Sequence, residues 1–376
     1  RFGRRGLRFV LRGRGHSALF RCRLVGSRHV LGQPKADARR ETLLCAKGEC
    51  AMSSAKKKAL WIAGALMFTG ALLLCGVLVA ARFDFSRLNT VHYQTSTYSV
   101  EQEFSNIHID IQNADVVFDR APNGQARVVC TERAPHTASV TVRDGTLTVS
   151  QPSVESAKWY QHIYVYFGQE TEQIKIYLPD QSFAELRVHT TSGDVTVPED
   201  TVFDQIYIEA SAGNVKVSAA AAKSEIDAKT SSGNLNAYGT NHALRQLQLS
   251  SGSGDIVAED LSLSSRLTMR TQSGELRISR CKALDLSAES TSGDISVLQS
   301  TIQGSGTVET RGGDVRFAQA EIGTLCVTTQ SGDVTGSLAT PMTYETHTNS
   351  GSVTVPKNGR GGQCTITTQS GDILLR

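Results

Sequence analysis

The sequence has few aromatic residues and no closely spaced cysteine pair. Phe, Trp and Tyr make up only 6% of the 376 residues, whereas 33 residues are Gly. A compact globular core of this length usually contains more large apolar side chains, so this balance indicates short strands and many turns. None of the eight Cys residues stands in a CxxC pair, which excludes the usual zinc-binding and thioredoxin spacings.

The chain also lacks an even charge distribution. Its formal net charge is +3, but residues 1–51 alone carry 11 Arg and 2 Lys against three acidic residues, a local net charge of +10. From Ala59 onward the net charge is −10. This acidic remainder is typical of a solvated domain outside a membrane, and it does not fit a nucleic-acid partner.

Residues 1–51 have no apolar periodicity and begin with Arg rather than Met. Met52 is the first Met, and the codons of Lys47-Gly48-Glu49 can spell the ribosome-binding sequence AAGGAG just upstream of it. We therefore expect residues 1–51 to be a mistranslated, disordered leader. The alternative interpretation is a basic tail that binds nucleic acid or anionic lipid.

Residues 59–81 contain no charged side chain, which predicts one transmembrane helix long enough to cross a bilayer. Lys56, Lys57 and Lys58 precede it, so the positive-inside rule places residues 52–58 in the cytoplasm and the chain after Arg82 outside the cell. A cleaved signal peptide is the main alternative, because the sequence before Arg82 ends in Val-Ala-Ala. A lipoprotein signal fits less well, because a bulky Leu precedes Cys75.

A Gly-containing turn recurs every 19 to 21 residues along the second half of the chain. Its glycines are Gly193, Gly213, Gly233, Gly254, Gly274, Gly293, Gly313, Gly332, Gly351 and Gly371. Repetition at a fixed period of this length is typical of solenoids and other repeat architectures.

Apolar residues alternate with polar residues on both sides of each turn. Around Gly193 the inward residues are Leu186 and Val188 before the turn, and Val195 and Val197 after it. Period-2 alternation on both sides of a Gly turn indicates two short strands per repeat, each with one buried face. Because one turn type returns once per unit, stacked coils explain the pattern better than antiparallel hairpins do.

The sequence therefore predicts an all-β chain: a parallel β-solenoid of about ten 20-residue coils, preceded by one transmembrane helix. The position three residues before each Gly is small or hydroxylic, as in Thr190 and Thr230, which predicts a tight corner beside the turn. We expect the Gly to supply a backbone conformation with positive φ.

The regular coils span residues 186–376 and follow an irregular N-terminal β cap over residues 107–185. Residues 82–106 form a linker and the start of the outer domain. The stretch Ile107–Val116 is predicted to be a degenerate first coil with Ala114 at the Gly position. Asp144-Gly145 is predicted to be a hairpin turn. Because the chain ends at Arg376, the last coil should be open, and its edge invites self-association or a partner.

Two cysteines in the repeats could approach each other. Cys364 falls at an inward position and Cys326 at an outward one, in coils that are two apart along the sequence. Two coils span about 9–10 Å, beyond the reach of a disulfide. We expect free thiols.

The tract Leu186–Val197, with its Ser-Gly-Asp turn, resembles the bacterial putative-adhesin family of unknown function. The resemblance covers residues 107–376. It implies a β-solenoid behind a membrane anchor or signal sequence, and some relatives of that family accompany cell-envelope stress systems. It implies no catalytic residues and no cofactor.

Two groups of residues are candidate sites. Acidic residues that follow the turn glycines could form a ladder that binds Ca²⁺, although this position is the normal place for a turn Asp. Trp159 and Tyr160 concentrate aromatic surface in the cap, where they could contact a sugar or a protein, or cover the end of the core. The acidic candidates are Asp194, Asp255, Asp294, Asp314, Asp333 and Asp372.

Three functions remain open. The first is a non-enzymatic cell-surface protein that contacts an envelope protein or polysaccharide, as an adhesin does. The second is an accessory or sensor of an envelope-stress pathway, which would need a membrane partner because residues 52–58 are too few to signal alone. The third is a carbohydrate-active β-helix enzyme, disfavoured because no acid/base set repeats at matching coil positions.

Overall fold

A computed structural model describes residues 54–80, 82, 92–133, 137–151, 171–239, 243–357 and 359–376. Contacts divide the chain into two units, Arg1–Val77 and Leu78–Arg376. In the described residues the first unit consists of helix, and the second consists almost entirely of strands.

The helix, α1, runs from Ser54 to Ala80. Its stretch Lys58–Ala80 is long and apolar enough to cross a membrane, because 23 residues rise about 35 Å in an α-helix. The large side chains of this stretch are exposed, including Trp61 and Phe68. The structure therefore supports the predicted apolar helix by length and composition, criteria that a signal sequence also meets.

In its described residues the second unit contains 27 strands. The first half comprises β1 (Tyr93–Ser99), β2 (Asn106–Ile111), β3 (Asp115–Arg120), β4 (Arg127–Arg133), β5 (Ser139–Arg143), β6 (Thr146–Ser150), β7 (Gln173–Leu178), β8 (Ser182–Thr190), β9 (Val195–Val197), β10 (Val202–Ala210), β11 (Val215–Ser218), β12 (Ala222–Thr230), β13 (Leu235–Tyr238) and β14 (Ala243–Ser251). The second half comprises β15 (Ile256–Glu259), β16 (Ser262–Thr271), β17 (Leu276–Ser279), β18 (Lys282–Ala283), β19 (Asp285–Ser290), β20 (Ile295–Leu298), β21 (Thr301–Glu309), β22 (Val315–Thr328), β23 (Val334–Leu338), β24 (Thr343–Thr348), β25 (Val353–Thr354), β26 (Gln363–Thr368) and β27 (Ile373–Leu375). The 3-10 turn Ala219–Ala221 joins β11 to β12.

These strands form a parallel β-solenoid in which each coil adds one strand to each of two sheets. Sheet A runs through β9, β11, β13, β15, β17, β20 and the first half of β22. Sheet B runs through β8, β10, β12, β14, β16, β18 with β19, β21 and the second half of β22. The predicted solenoid is confirmed.

The core lies between the two sheets, because the inward residues of successive coils stack in register. Val195, Val215 and Leu235 pair in one such column and are each at most 1% exposed. At the N-terminal end, phenylalanine rings extend this stack: Phe183 lies 5.7 Å from Phe203 between ring centroids. Continuous apolar columns of this kind are what make neighbouring coils mutually stabilising.

At the N-terminal end, the order of the coils in the stack differs from their order along the chain. β2 and β3 stack directly against β8 and β9, and β6 and β7 stack on their other side. Antiparallel strands then finish this end: β5 pairs with β6, β4 with β7, and β1 with β4. The turn between β5 and β6 has φ of 51° at Asp144 and 69° at Gly145, as a two-residue hairpin turn requires.

The C-terminal end corrects the sequence prediction. The last coil, β26 and β27, is not open: β26 lies between β22 and β24, and β27 lies between β23 and β25. The coil of Gly351 is therefore the outermost layer, although it comes earlier in the chain.

Side-chain polarity explains this exchange of the last two coils. The last coil buries Ile366, Ile373 and Leu375, each at most 1% exposed. The corresponding strand of the Gly351 coil carries Thr346, and its Val353 is 43% exposed. Since burial of apolar area is favourable by about 25 cal/mol per Å², the more apolar coil is more stable inside the stack.

The role of the turn glycines also differs from the prediction. None of the ten has a positive φ. Each instead lies against the carbonyl oxygen of the residue at the same turn position in the adjacent coil: a Cβ on Gly213 would stand 2.0 Å from the oxygen of Gly193, and one on Gly233 would stand 1.8 Å from that of Gly213. Glycine is needed because stacked turns leave no room for a Cβ.

A hydroxyl three residues before the Gly ties the stacked turns together in nearly every coil, the exception being the Gly213 turn, which has Ala210 there. The Gly254 N–H donates to Ser251 Oγ at 2.8 Å, and Ser251 Oγ lies 3.0 Å from the Gly233 carbonyl, to which it donates. Thr271 makes the same two bonds, to the Gly274 N–H and the Gly254 carbonyl. A buried hydroxyl thus satisfies one backbone donor in its own coil and one acceptor in the next.

Left-handed backbone occurs at the opposite corner of the coil. Four residues with φ between 47° and 56° stand six residues after their turn glycines: Asp260, Arg280, Gln299 and Gln319. Side chains bridge these layers, as Arg280 donates to both oxygens of Asp260 at 2.6 and 2.9 Å.

Cys326 and Cys364 are free, as predicted, but the reason differs. Since the last coil stacks on the Gly332 coil, Cys364 lies opposite Leu325 and Cys326 opposite Thr365 on adjacent strands. Cys364 is buried and Cys326 is exposed, so the two thiols point to opposite faces of one sheet. Burial raises the pKa of Cys364 to about 12.

We predict that Gly313→Ala destabilises the solenoid, whereas Gly312→Ala next to it does not. A Cβ at Gly313 would stand 2.1 Å from the Gly293 oxygen, but one at Gly312 would meet nothing closer than 3.9 Å. We expect a loss of about 3 kcal/mol in the free energy of unfolding for Gly313→Ala and a change within about 0.5 kcal/mol for the control. Denaturant unfolding measures both, and equal losses would contradict the stacking explanation.

Candidate functional site

The acidic residues after the turn glycines lie along one edge of the solenoid, as predicted, and they hydrogen-bond from coil to coil. The Asp314 N–H donates to Asp294 Oδ1 at 2.8 Å, and the Asp333 N–H donates to Asp314 Oδ1 at 2.8 Å. The Asp372 N–H continues the series to Asp333 Oδ1 at 2.8 Å. We call this row the turn ladder.

Several members of the turn ladder are not among the acidic residues predicted from the sequence. The Asp194 N–H donates to Asp115 Oδ1 at 2.9 Å, so the ladder begins in the first coil. Asn214 and Asn234 are also members, because the amide oxygen of each accepts the N–H of the following coil at 3.0 and 2.9 Å. The acceptors share a short Asp or Asn side chain one residue after the turn position, and a negative charge is not required.

The turn ladder ends at the outermost coil. The Ser352 N–H donates to Asp372 Oδ1 at 2.7 Å, and this bond holds the pKa of Asp372 below its usual range. Ser352 stands in place of an acidic residue in the outermost of the described coils.

The turn ladder explains these residues without a metal. Carboxylate oxygens accept backbone N–H groups of the next coil, and among the described residues no three His, Cys, Asp or Glu side chains are grouped to hold a metal ion. Calcium binding at Asp194, Asp255, Asp294, Asp314, Asp333 and Asp372 stays a prediction from the sequence. The other candidates, Trp159 and Tyr160, lie outside the described residues.

The outward side chains of sheet B form a second candidate site. Because outward residues also stack in register, they make two columns along the sheet: Arg187, Tyr207 and Asp227 in one, and His189, Glu209 and Lys229 in the other. Near the N-terminal end these columns, together with His108 and Asp110, line a shallow concavity of about 470 Å³. We call it the charged concavity.

Neighbouring side chains of opposite charge balance one another within the charged concavity. Lys229 Nζ lies 2.7 Å from Asp227 Oδ2, and the Arg187 guanidinium lies 5.3 Å from the centre of the Tyr207 ring. His189 Nδ1 and Glu209 Oε2 are 4.0 Å apart. The surface therefore offers donors, acceptors and one half-buried aromatic ring without a strong net charge, which suits a polar uncharged or mixed-charge partner.

A second concavity, of about 520 Å³, continues the same face toward the C-terminal end. Arg270 donates to both oxygens of Glu289 at 3.0 Å, and Glu309 and Arg311 lie beside this pair. The remaining lining side chains are Thr, Gln and Ser290. The sequence predicted polar outward positions in the repeats, but only the register between coils shows which of them share a concavity.

We predict that Asp314→Ala weakens the fold and Asp314→Asn does not. Alanine removes the acceptor of the Asp333 N–H, and loss of one hydrogen bond to an ionised acceptor costs about 1.5–3 kcal/mol in buried settings and less at this exposed edge. Asparagine keeps an oxygen there, as Asn214 and Asn234 do. Thermal unfolding without added metal compares the two variants, and equal behaviour would contradict a structural turn ladder.

Comparison with solved structures finds similar chains at low sequence identity. A putative adhesin from Bacteroides fragilis is 13% identical, with 76% of this chain and 97% of that chain covered and a TM-score of 0.36. A putative lipid binding protein from Parabacteroides distasonis is 16% identical, with coverages of 75% and 97% and a TM-score of 0.41. A putative adhesin from the same species is 12% identical, with coverages of 76% and 98% and a TM-score of 0.38.

No curated protein matches the chain. A family model does: the Toastrack DUF4097 model matches residues 104–376. This range holds every strand from β2 to β27 and the whole turn ladder. The chain belongs to the Toastrack DUF4097 family.

Proposed function

We propose that this chain is a non-enzymatic, membrane-anchored protein whose solenoid uses the outer face of sheet B to contact cell-envelope polysaccharide outside the cell, as an adhesin would. The observation that carries the proposal is the register of outward side chains, which turns single polar residues into columns and concavities. The apolar stretch Lys58–Ala80 supports the anchor.

The chemistry of the charged concavity supports a polysaccharide ligand. Sugars are bound by aromatic faces together with planar donors and acceptors, and Tyr207, Arg187 and Glu209 supply one of each within neighbouring coils. The face is also long enough for several sugar units, because coils repeat at about 4.8 Å. Adhesion by a repetitive surface would gain strength from several weak contacts at once.

The chain itself offers a matched pair of variants to test this proposal. Arg187→Ala/Tyr207→Ala removes a cation and ring from the outer face of sheet B, where they are 5.3 Å apart. Lys216→Ala/Tyr238→Ala removes an equivalent pair from sheet A, where they are 5.1 Å apart. The assay measures binding of the full chain, in nanodiscs, to immobilised bacterial cell-wall polysaccharide.

We expect the sheet B variant to bind about tenfold more weakly, as expected for loss of Arg and Tyr anchors at a binding site. The sheet A variant should bind like the wild type. Equal losses in both variants, or no binding by the wild type, would contradict this proposal. Shortened glycan products after incubation would instead support an enzyme.

The proposed orientation predicts which thiols react from outside the cell. Cys326 is exposed, whereas Cys130, Cys281 and Cys364 are buried, and burial raises their pKa to about 12, 11 and 12. A membrane-impermeant maleimide added to intact cells should therefore label Cys326 alone among these four, as read by peptide mass mapping. Labelling of Cys326 only after lysis would contradict the orientation, and the three buried thiols should react only after denaturation.

A further inference from the structure

The second concavity, on the outer face of sheet B, contains one pair of opposite charges in contact and one pair apart. Arg270 donates to both oxygens of Glu289 at 3.0 Å, and Ser287 Oγ donates to Glu289 Oε1 at 3.2 Å. In the next coil Glu309 and Arg311 line the same concavity. Neither of these two side chains forms an ion pair or hydrogen bond with another described residue. The concavity therefore keeps one carboxylate and one guanidinium available for a ligand.

The spacing of these two residues does not by itself keep them apart. Glu309 and Arg311 stand two residues apart in the coil of Gly313, and both are exposed. At the same spacing in the charged concavity, Lys229 Nζ lies 2.7 Å from Asp227 Oδ2. The separated pair is therefore a local feature of the second concavity.

The side chains of the adjacent coils also leave these two charges available. Glu309 lies in register with Glu289, whose charge the ion pair with arginine already balances. Arg311 lies between Thr291 and Gln330, which occupy its position in the coils on either side and carry no charge. A carboxylate and a guanidinium thus stand in one coil, each without an opposite charge at its own position in the adjacent coils.

We propose that the second concavity binds a mixed-charge polysaccharide, one that carries ammonium and anionic groups on neighbouring sugars. Glu309 accepts hydrogen bonds from the ammonium group, and Arg311 donates to the anionic group. Thr328 and Gln330, which line the C-terminal side of the concavity, contact sugar hydroxyls. The inference rests on the proposed function, because it names the class of polysaccharide that the outer face of sheet B contacts.

The charges of the second concavity disfavour a polymer of one sign. Its lining has two Arg and two Glu residues, so its net charge is 2 − 2 = 0. A polyanion would place an anionic group against Glu309, and a polycation would place an ammonium group against Arg311. Because like charges brought together suppress wrong partners, a polymer that carries both charges fits this site better than either.

Three hexasaccharides with the same backbone test the charge pattern. The first alternates glucuronic acid with glucosamine and carries both charges. Its N-acetylated form carries carboxylates only, and its methyl ester carries ammonium groups only. Binding of each fluorescently labelled hexasaccharide to the full chain in non-ionic detergent is measured by anisotropy. The wild type should bind the mixed-charge form about fivefold more tightly than either other form, as expected for one additional exposed charge contact.

Charge reversal should change this preference in a direction that depends on the residue. Glu309→Lys leaves two cationic groups at the site and should prefer the N-acetylated form. Arg311→Glu leaves two carboxylates and should prefer the methyl ester. Glu275→Lys and Arg316→Glu make the same exchanges at exposed positions outside the second concavity, and both should keep the wild-type preference.

The outcomes separate this inference from the proposed function. A wild-type chain that binds cell-wall polysaccharide but shows no preference among the hexasaccharides would overturn the inference and leave the proposed function standing. A chain that binds neither cell-wall polysaccharide nor any hexasaccharide would overturn both. A mixed-charge preference that persists in Glu309→Lys and Arg311→Glu would reject the second concavity as the site. Thermal unfolding of each variant checks that the coils are intact.

Discussion

The close stacking of one turn on the next is the constraint on which the rest of this solenoid depends. Adjacent strands lie about 4.8 Å apart, and at that spacing the turn carbonyl of one coil occupies the place of a Cβ in the next, 1.8–2.1 Å away. The turn therefore needs Gly. In most coils a hydroxyl such as that of Thr271 binds the Gly N–H and the carbonyl of the adjacent turn, and an Asp or Asn oxygen such as that of Asp314 accepts an N–H of the next coil.

This constraint divides the residues of each coil by role. Residues at turn and inward positions make the contacts between coils, so substituting them would destabilise the fold. Outward positions on the sheets are not needed for this stacking, so side chains of different chemistry can stand there, as Arg187, Tyr207 and Glu209 do. A family built on this repeat can therefore change its binding surface without changing its core.

The strands at the two ends of the solenoid are arranged differently from those in its middle. At both ends the order of the layers in the stack departs from their order along the chain, so that β3 lies between β7 and β9, and β27 lies between β23 and β25. The N-terminal end is then finished by antiparallel strands, whereas at the C-terminal end β25 pairs only with β27 among the described residues. Stacking stabilises a coil from two sides, and only the terminal coils lack one of them.

The sequence by itself determined the repeat, its parallel stacking, the inward columns and the place of Ala114 in the first turn, because each depends on spacing and alternation along the chain. It did not show why Gly is required, that Asn214 continues a row of acceptors, or that Cys326 and Cys364 lie on neighbouring strands. Those facts depend on which residues of different coils come within a few ångströms. The order of the last two coils was decided by tertiary structure alone, because the more apolar coil gains more by lying inside the stack.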